Sequence, residues 1–357
     1  MTAEYQKIPA LVDPHVHLRE PGATQKEDFE TGTMAAIAGG YGIVLDMPNN
    51  PEPTVFPEAL QRKIELAGNR IYCDVGFHFG ATAQGVEYFE VVKDQVFGLK
   101  VYMNHTTGPL LIEDMRELRK IFSKSPREKP ILVHAEGDTL KKAISLARQY
   151  EVGLHACHVS TERGIEAIRK AKEEGLRVTC EVTPHHLYFT EDDATALGPF
   201  GIMRPPLGSE IDRRALWKNL KEGVVDMIAT DHAPHTIEEK LSDNPPFGVP
   251  GLETTLPLFL TSVADGQLTL DEVVRLTSTN PRKIFGLPKA TEESYVLLDL
   301  EQKGIITSDN LKTKCGWTPF DGVRITGRIA EVVFEGATVY DGENIVGEPR
   351  GKVIFPS

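Results

Sequence analysis

The sequence predicts an α/β fold, a closed (β/α)8 barrel of the TIM type carrying a small C-terminal β subdomain. Three observations point there. Eight short β-rich runs recur up to residue 231, stretches with helical periodicity separate them, and from Ser294 the texture changes to short strands and turns. In order, ALVDPHV (10–16) precedes the helical FETGTMAAIAG, GIVLDM (42–47) precedes PEALQRKIELAG, and IYCDVGF (71–77) precedes GVEYFEVVKDQ, the weakest helical pattern of the set. FGLKVY (97–102) is followed by IEDMRELRKIF, PILVHA (130–135) by DTLKKAISLARQY, and VGLHACHV (152–159) by TERGIEAIRKAKEEG. RVTCEV (177–182) leads to DRRALWKNLKEG. VVDMIATD (224–231) leads to the Pro/Gly-rich loop NPPFGVPGLET and then helices to about Leu287. An open doubly wound sheet would show the same alternation, but DPHVHLREPG stands where a G-x-G-x-x-G turn would follow its first strand. The barrel is assigned to residues 9–290. Residues 1–8 and 291–357, with SYVLLDL, VRITGRIAEVVFEG and ATVYDGENIVG, form the β-rich subdomain packed on it.

Composition removes several classes of function. The 357 residues hold 39 basic and 52 acidic side chains, a net charge of -13, so no basic face offers itself to nucleic acid. No apolar run approaches the ~20 residues needed to span a bilayer, and the start MTAEYQKIPALV lacks the apolar core of a signal peptide. Cys73, Cys157, Cys180 and Cys315 are far apart with no CxxC pair, a poor disulfide framework that fits the reducing cytoplasm.

The histidines locate the chemistry. His15 and His17 are two apart on one strand, so both point to one face. Packing alone would make them satisfied core histidines, but two inward imidazoles without a ligand are costly to desolvate. His134 ends the fifth strand, His158 the sixth and Asp231 the eighth. Barrel strands present functional groups at their C-terminal ends, so these five residues converge, and imidazoles with a carboxylate suit zinc or a similar borderline metal. Lys100 ends the fourth strand. A lysine there normally snorkels to solvent, but among metal ligands an ammonium is repelled. A neutral lysine can add carbon dioxide to form a carbamate that bridges two metals, provided burial or nearby cations lower its pKa.

DPHVHLREPG, DMPNN, GLKVY, HAEG, ACHVS, EVTPHHL and ATDHAPHTIEEK, in this order, resemble the dihydroorotases of the cyclic amidohydrolase superfamily. The resemblance runs from about Leu11 to Pro288 and is nearest to the dihydroorotase domain of the multifunctional animal pyrimidine-synthesis protein. It implies a zinc enzyme that reversibly cyclises N-carbamoyl-L-aspartate to dihydroorotate in de novo pyrimidine biosynthesis. It also implies two Zn2+ bridged by carboxylated Lys100, with His15, His17 and Asp231 on one ion and His134 and His158 on the other. Asp231 is then also the catalytic proton shuttle. Cys157 and Glu181 match positions assigned to a third zinc, though a buried cysteine is commonly just a small hydrophobe.

Arg19, Asn49 and His235 match the family's carboxylate-binding positions, and Arg204 matches an arginine near the ring site of the animal-type domain. Pro250 and Gly251 fall where backbone groups meet the pyrimidine ring. Thr106 matches the threonine of a mobile loop that closes over substrate, whereas Thr107 replaces an aromatic residue, so closure is expected to differ. His15 follows only a stub, where free-standing members carry more β-structure, which resembles a domain from a fused context. The implied partners are the small substrate, a second copy in a homodimer, and aspartate transcarbamoylase or carbamoyl-phosphate synthetase. Rival readings are a hydantoinase, dihydropyrimidinase or allantoinase, which need no arginine–asparagine pair, and a non-catalytic scaffold for aspartate transcarbamoylase.

Overall fold

The computed structural model describes residues 5–356; residues 1–4 and 357 of the predicted β subdomain lie outside the described residues. The barrel strands are β2 (Leu11–Val16), β3 (Tyr41–Asp46), β4 (Asp74–Phe77) with its continuation β5 (Phe79–Gly80), β6 (Leu99–Tyr102), β7 (Ile131–His134), β8 (Leu154–Ala156), β9 (Val178–Val182) and β10 (Met227–Ile228). They pair in parallel as β2-β3-β4 and β5-β6-β7-β8-β9-β10. Register is fixed by pairs such as Val16 with Asp46, Tyr102 with His134, and Met227 with Glu181. Two joins close the cylinder. Phe97 N–H donates to Phe77 O at 2.9 Å beside the break at His78, and His17 N–H donates to His232 O at 2.8 Å, next to the Val16–His232 bridge. The fold is therefore the predicted eight-stranded barrel.

Alternation along each strand sorts the core into two layers. Val12, Ile43, Leu45, Leu132 and Met227 pack inside the barrel with Phe97 and Phe285. Leu11, Val44, Val75, Val101 and Val133 belong to the larger outer cluster with the helices. Two strands stop three residues before the C-terminal ends of their predicted runs. The sixth stops at Ala156 and the eighth at Ile228, because His158 and Asp231 adopt positive φ values of 35° and 48° and leave the ladder. The weakest helix, predicted over 85–95, is a short Tyr88–Val92 helix.

The remaining sheet is antiparallel. β1 (Gln6–Pro9) pairs with β11 (Tyr295–Ile305), which pairs with β12 (Arg324–Phe334) and then β13 (Ala337–Tyr340). It packs on the helix Leu252–Ala264, where Gly327, at φ 94°, leaves room for Leu260; an added Cβ would lie 2.7 Å from the leucine Cβ. No helix among the described residues is long and apolar enough to cross a membrane. All four cysteines are buried and unpaired.

Candidate active site

The C-terminal ends of the strands open into a cleft. His15, His17, Lys100, His134, His158 and Asp231 line it, together with Arg19, Asn49, Arg204, Thr106 and Thr107. Three lining residues, Arg19, His158 and Asp231, have positive φ without being glycine. Such backbone is held only where surrounding structure over-determines it, and each of the three follows a barrel strand and turns its side chain inward.

His15 lies between two carboxylates. Its Nδ1–H donates to Glu181 Oε1, and its Nε2 is 3.3 Å from Asp231 Oδ1. His17 Nε2 is 3.0 Å from the same Asp231 oxygen. Burial works against a charged His15 ring, but Glu181 and Asp231 outweigh it and raise the pKa to about 10. Burial lowers His17 to about 3, with Asp231 pulling the other way. Burial alone would raise Asp231; the His15 and His17 rings overcome it and hold the carboxyl well below its usual range. Glu181, on β9, also accepts from His155 Nε2 at 3.0 Å and from the His158 backbone N–H at 3.2 Å.

Opposite them, His134 Nδ1 and His158 Nε2 face each other at 3.0 Å. Burial keeps both rings neutral, His134 near 3 and His158 well below its ordinary value. The outer nitrogens, His134 Nε2 and His158 Nδ1, are buried without a hydrogen-bond partner. Lys100 is 1% exposed, and its Nζ donates to Cys157 Sγ at 2.9 Å. These features test whether a metal suits the site. Orphaned imidazole nitrogens and a buried lysine set among histidines are expensive as they stand, and a cation with an anionic lysine derivative would satisfy both. The donor set fits.

Among the described residues, two groups bring three donor atoms within 4.8 Å of one another: His15, His17 and Asp231, and His15, Cys157 and Glu181. They share His15 through its two different nitrogens. Cys157 and Glu181 thus lie beneath the imidazoles rather than in the cleft wall.

The other wall is cationic. Arg19 Nε donates to Pro234 O at 2.9 Å, and burial, opposed by Asp231 and Asp46, lowers the guanidinium to about 10. Asn49 Nδ2 donates to Thr107 O at 3.0 Å, while Asn49 Oδ1 has no partner. Arg204 sits over the Phe247 ring at 4.6 Å. His235 lies behind Arg19: its Nε2 is 3.0 Å from Arg19 Nη2 and 2.9 Å from Phe247 O, and its Nδ1 is 3.1 Å from Lys26 Nζ. Pro250 and Gly251 are buried outside the cleft lining, and the Gly251 N–H donates to His232 Nδ1 at 3.2 Å. Tyr102, Ala233, Phe247 and Gly248 also line the cleft and were not anticipated. Phe247 carried one sequence signal, as the lone aromatic of NPPFGVPG.

Known proteins resemble this chain in sequence and in fold. Residues 7–292 match the amidohydrolase family. The chain is 46% identical, over 98% of its length, to the multifunctional protein CAD of Squalus acanthias, of which it spans 16%. It is 35% identical to the dihydroorotase of Pyrococcus furiosus, covering 97% of this chain and 84% of that one. Among solved structures, an L-hydantoinase (dihydropyrimidinase) from Arthrobacter aurescens superposes with a TM-score of 0.90 at 25% identity, over 98% of this chain and 89% of that chain. The chain belongs to the amidohydrolase family and, within it, to the dihydroorotases.

Proposed function

We propose that this chain is a zinc-dependent dihydroorotase, cyclising N-carbamoyl-L-aspartate to dihydroorotate and opening it again in pyrimidine biosynthesis. One observation carries the reading. Six metal-type side chains meet Arg19, Asn49 and Arg204, the residues suited to the substrate's carboxylates and N–H groups, in a single cleft. His15, His17 and Asp231 would hold one zinc, His134 and His158 the other, and Lys100, carboxylated by carbon dioxide with release of a proton, would bridge them. Bound there, the metals lower the pKa of a water and polarise the amide carbonyl.

The chain's own residues do the rest. Arg19 and Arg204 suit the substrate carboxylates, since a guanidinium pairs with a carboxylate through two hydrogen bonds. Asn49 offers its unpartnered Oδ1 to a ring or ureido N–H. Asp231 Oδ1 is engaged by His15 and His17, leaving Oδ2 to carry the proton. In ring opening Asp231 takes a proton from the water that adds to the amide carbonyl and passes it to the ring nitrogen as the C–N bond breaks. In ring closure it takes a proton from the ureido nitrogen that attacks the side-chain carboxylate and passes it to the oxygen that leaves as water. Thr106 and Thr107 line the cleft, and their loop would close over the substrate and limit water. Cys157 and Glu181 back His15, and a third ion between them would displace the three hydrogen bonds on Glu181.

The likeness to an L-hydantoinase favours a second reading, a hydrolase of uncharged rings. Arg19 and Arg204 weigh against it, because such rings present no carboxylate for either. Turnover of dihydroorotate, hydantoin, dihydrouracil and allantoin decides. Preference for an uncharged ring sinks the first reading. We expect Lys100→Ala to lose bound metal and at least ~100-fold in kcat; full rate with both metals retained would remove the carbamate bridge. We further propose a cytoplasmic homodimer, fused or bound to aspartate transcarbamoylase or carbamoyl-phosphate synthetase, a context supported by the multifunctional relative.

A further inference from the structure

Lys240 ends the short helix Ile237–Lys240 and is fully buried, yet it has no ion-pair partner among the described residues. Its ammonium donates instead to three backbone carbonyls: Ile202 O at 3.0 Å, Pro246 O at 3.0 Å and Gly248 O at 3.2 Å. An ammonium has three donors and no acceptor, so these carbonyls satisfy it completely. The Trp317 ring lies 5.5 Å away on another side.

The segment it holds cannot close its own hydrogen bonds. Pro245 and Pro246 have no N–H. Gly248 is at φ 131°, where an added Cβ would lie 2.6 Å from Ala233 O, and its N–H reaches across to Ile202 O at 3.1 Å. Lys240 supplies the missing donors. Two of its acceptors flank Phe247 and the third stands two residues before Arg204. Phe247 in turn carries Arg204 on its ring and meets His105 edge-on at 6.2 Å, and its carbonyl accepts from Thr107 Oγ1 at 3.4 Å.

We propose that Lys240 is a positioning residue for substrate binding. By tying Ile202, Pro246 and Gly248 together it fixes Phe247 as the plate that aims Arg204 at the substrate anion and receives the loop carrying His105 and Thr107. This rests on the reading of Arg204 as a substrate-binding residue.

The test joins amide hydrogen exchange to kinetics. Lys240→Gln keeps two donor hydrogens and removes the charge. We expect faster exchange confined to 202–206 and 246–249, and KM for dihydroorotate up about tenfold with kcat within about threefold. In an Arg204→Lys background the same change should add less than about twofold to KM, because coupled residues are not additive. Unchanged exchange at both segments, or KM effects that multiply in the double variant, overturns the proposal. Should Lys240→Gln not fold, Lys240→Arg, which keeps the charge and misplaces the donors, takes its place in the cycle, with the same outcomes deciding. A wild type that leaves dihydroorotate untouched defeats the functional reading alone, and the exchange data then decide the clamp.

Discussion

Glu181 receives hydrogen bonds from His15 Nδ1, from His155 Nε2 and from the His158 backbone, so one buried carboxylate orients two candidate ligands. A carboxylate on Nδ1 fixes the imidazole tautomer and turns Nε2 towards the metal. Glutamine would place an NH2 against one of these donors, so we expect Glu181→Gln to weaken metal retention about 10–100-fold, read by chelator competition. Wild-type retention would rule out the orienting role. Loss of one whole equivalent from a three-metal wild type would instead make Glu181 a ligand, with Cys157 beside it. The candidate ligands were legible in the sequence because imidazole, lysine and carboxylate at strand ends are chemically diagnostic whatever surrounds them. Lys240 was not. In TIEEK it reads as a surface charge, and its partners are backbone carbonyls that any residue supplies. Lys63, buried against Asp46 at 2.6 Å, was hidden in the same way within a helix of ordinary amphipathic pattern.

The helix Phe29–Ala38 shows how an element is tied to the site's surroundings. Asp28 caps it, accepting from Thr31 N–H at 2.9 Å, and also pairs with Lys314 at 2.9 Å from the segment that precedes β12. Burial would raise the Asp28 pKa, but the Thr31 amide and Lys314 prevail and lower it below 3.8. A lowered carboxylate contributes stability above its unfolded value and loses it as the pH falls through the folded one. We expect Asp28→Ala to cost about 1 kcal/mol in urea unfolding at neutral pH. The gap from wild type should close as the pH drops below 3.8. A gap that persists in acid would show packing, not the carboxylate, at work. At this scale the strands were legible because buried parallel strands read as apolar runs. Two helices, Pro184–Tyr188 and Glu191–Leu197, were not, since 5 and 7 residues are too short to display a 3.6-residue period. Strand ends were misjudged where chemistry bends the chain, as at Asp231.

Across the whole molecule the candidate ligands come from five of the eight barrel strands, the first and the last among them. His15 and His17 follow from the first strand, Lys100 from the fourth, His134 from the fifth, His158 from the sixth and Asp231 from the eighth. Ions held among them would join strands far apart in sequence, including the first and last, whose closure within the ladder rests on the short Val16–His232 bridge. Without ions the same centre leaves His134 Nε2 and His158 Nδ1 buried and unpartnered beside Lys100. Metal removal should therefore loosen the barrel as a unit rather than one loop. An ion present at 100 times its dissociation constant adds about 2.7 kcal/mol, and in a chain of 357 residues each kcal/mol shifts Tm by roughly 1.3 °C. We expect chelation of two ions to lower Tm by on the order of 7 °C in a single cooperative transition, with zinc restoring it. His134→Ala should begin nearer the chelated value and respond less to zinc. An unchanged Tm, or a separate low-temperature step, would show that the ions do not brace the cylinder and that the ladder alone holds the strand ends in place for catalysis.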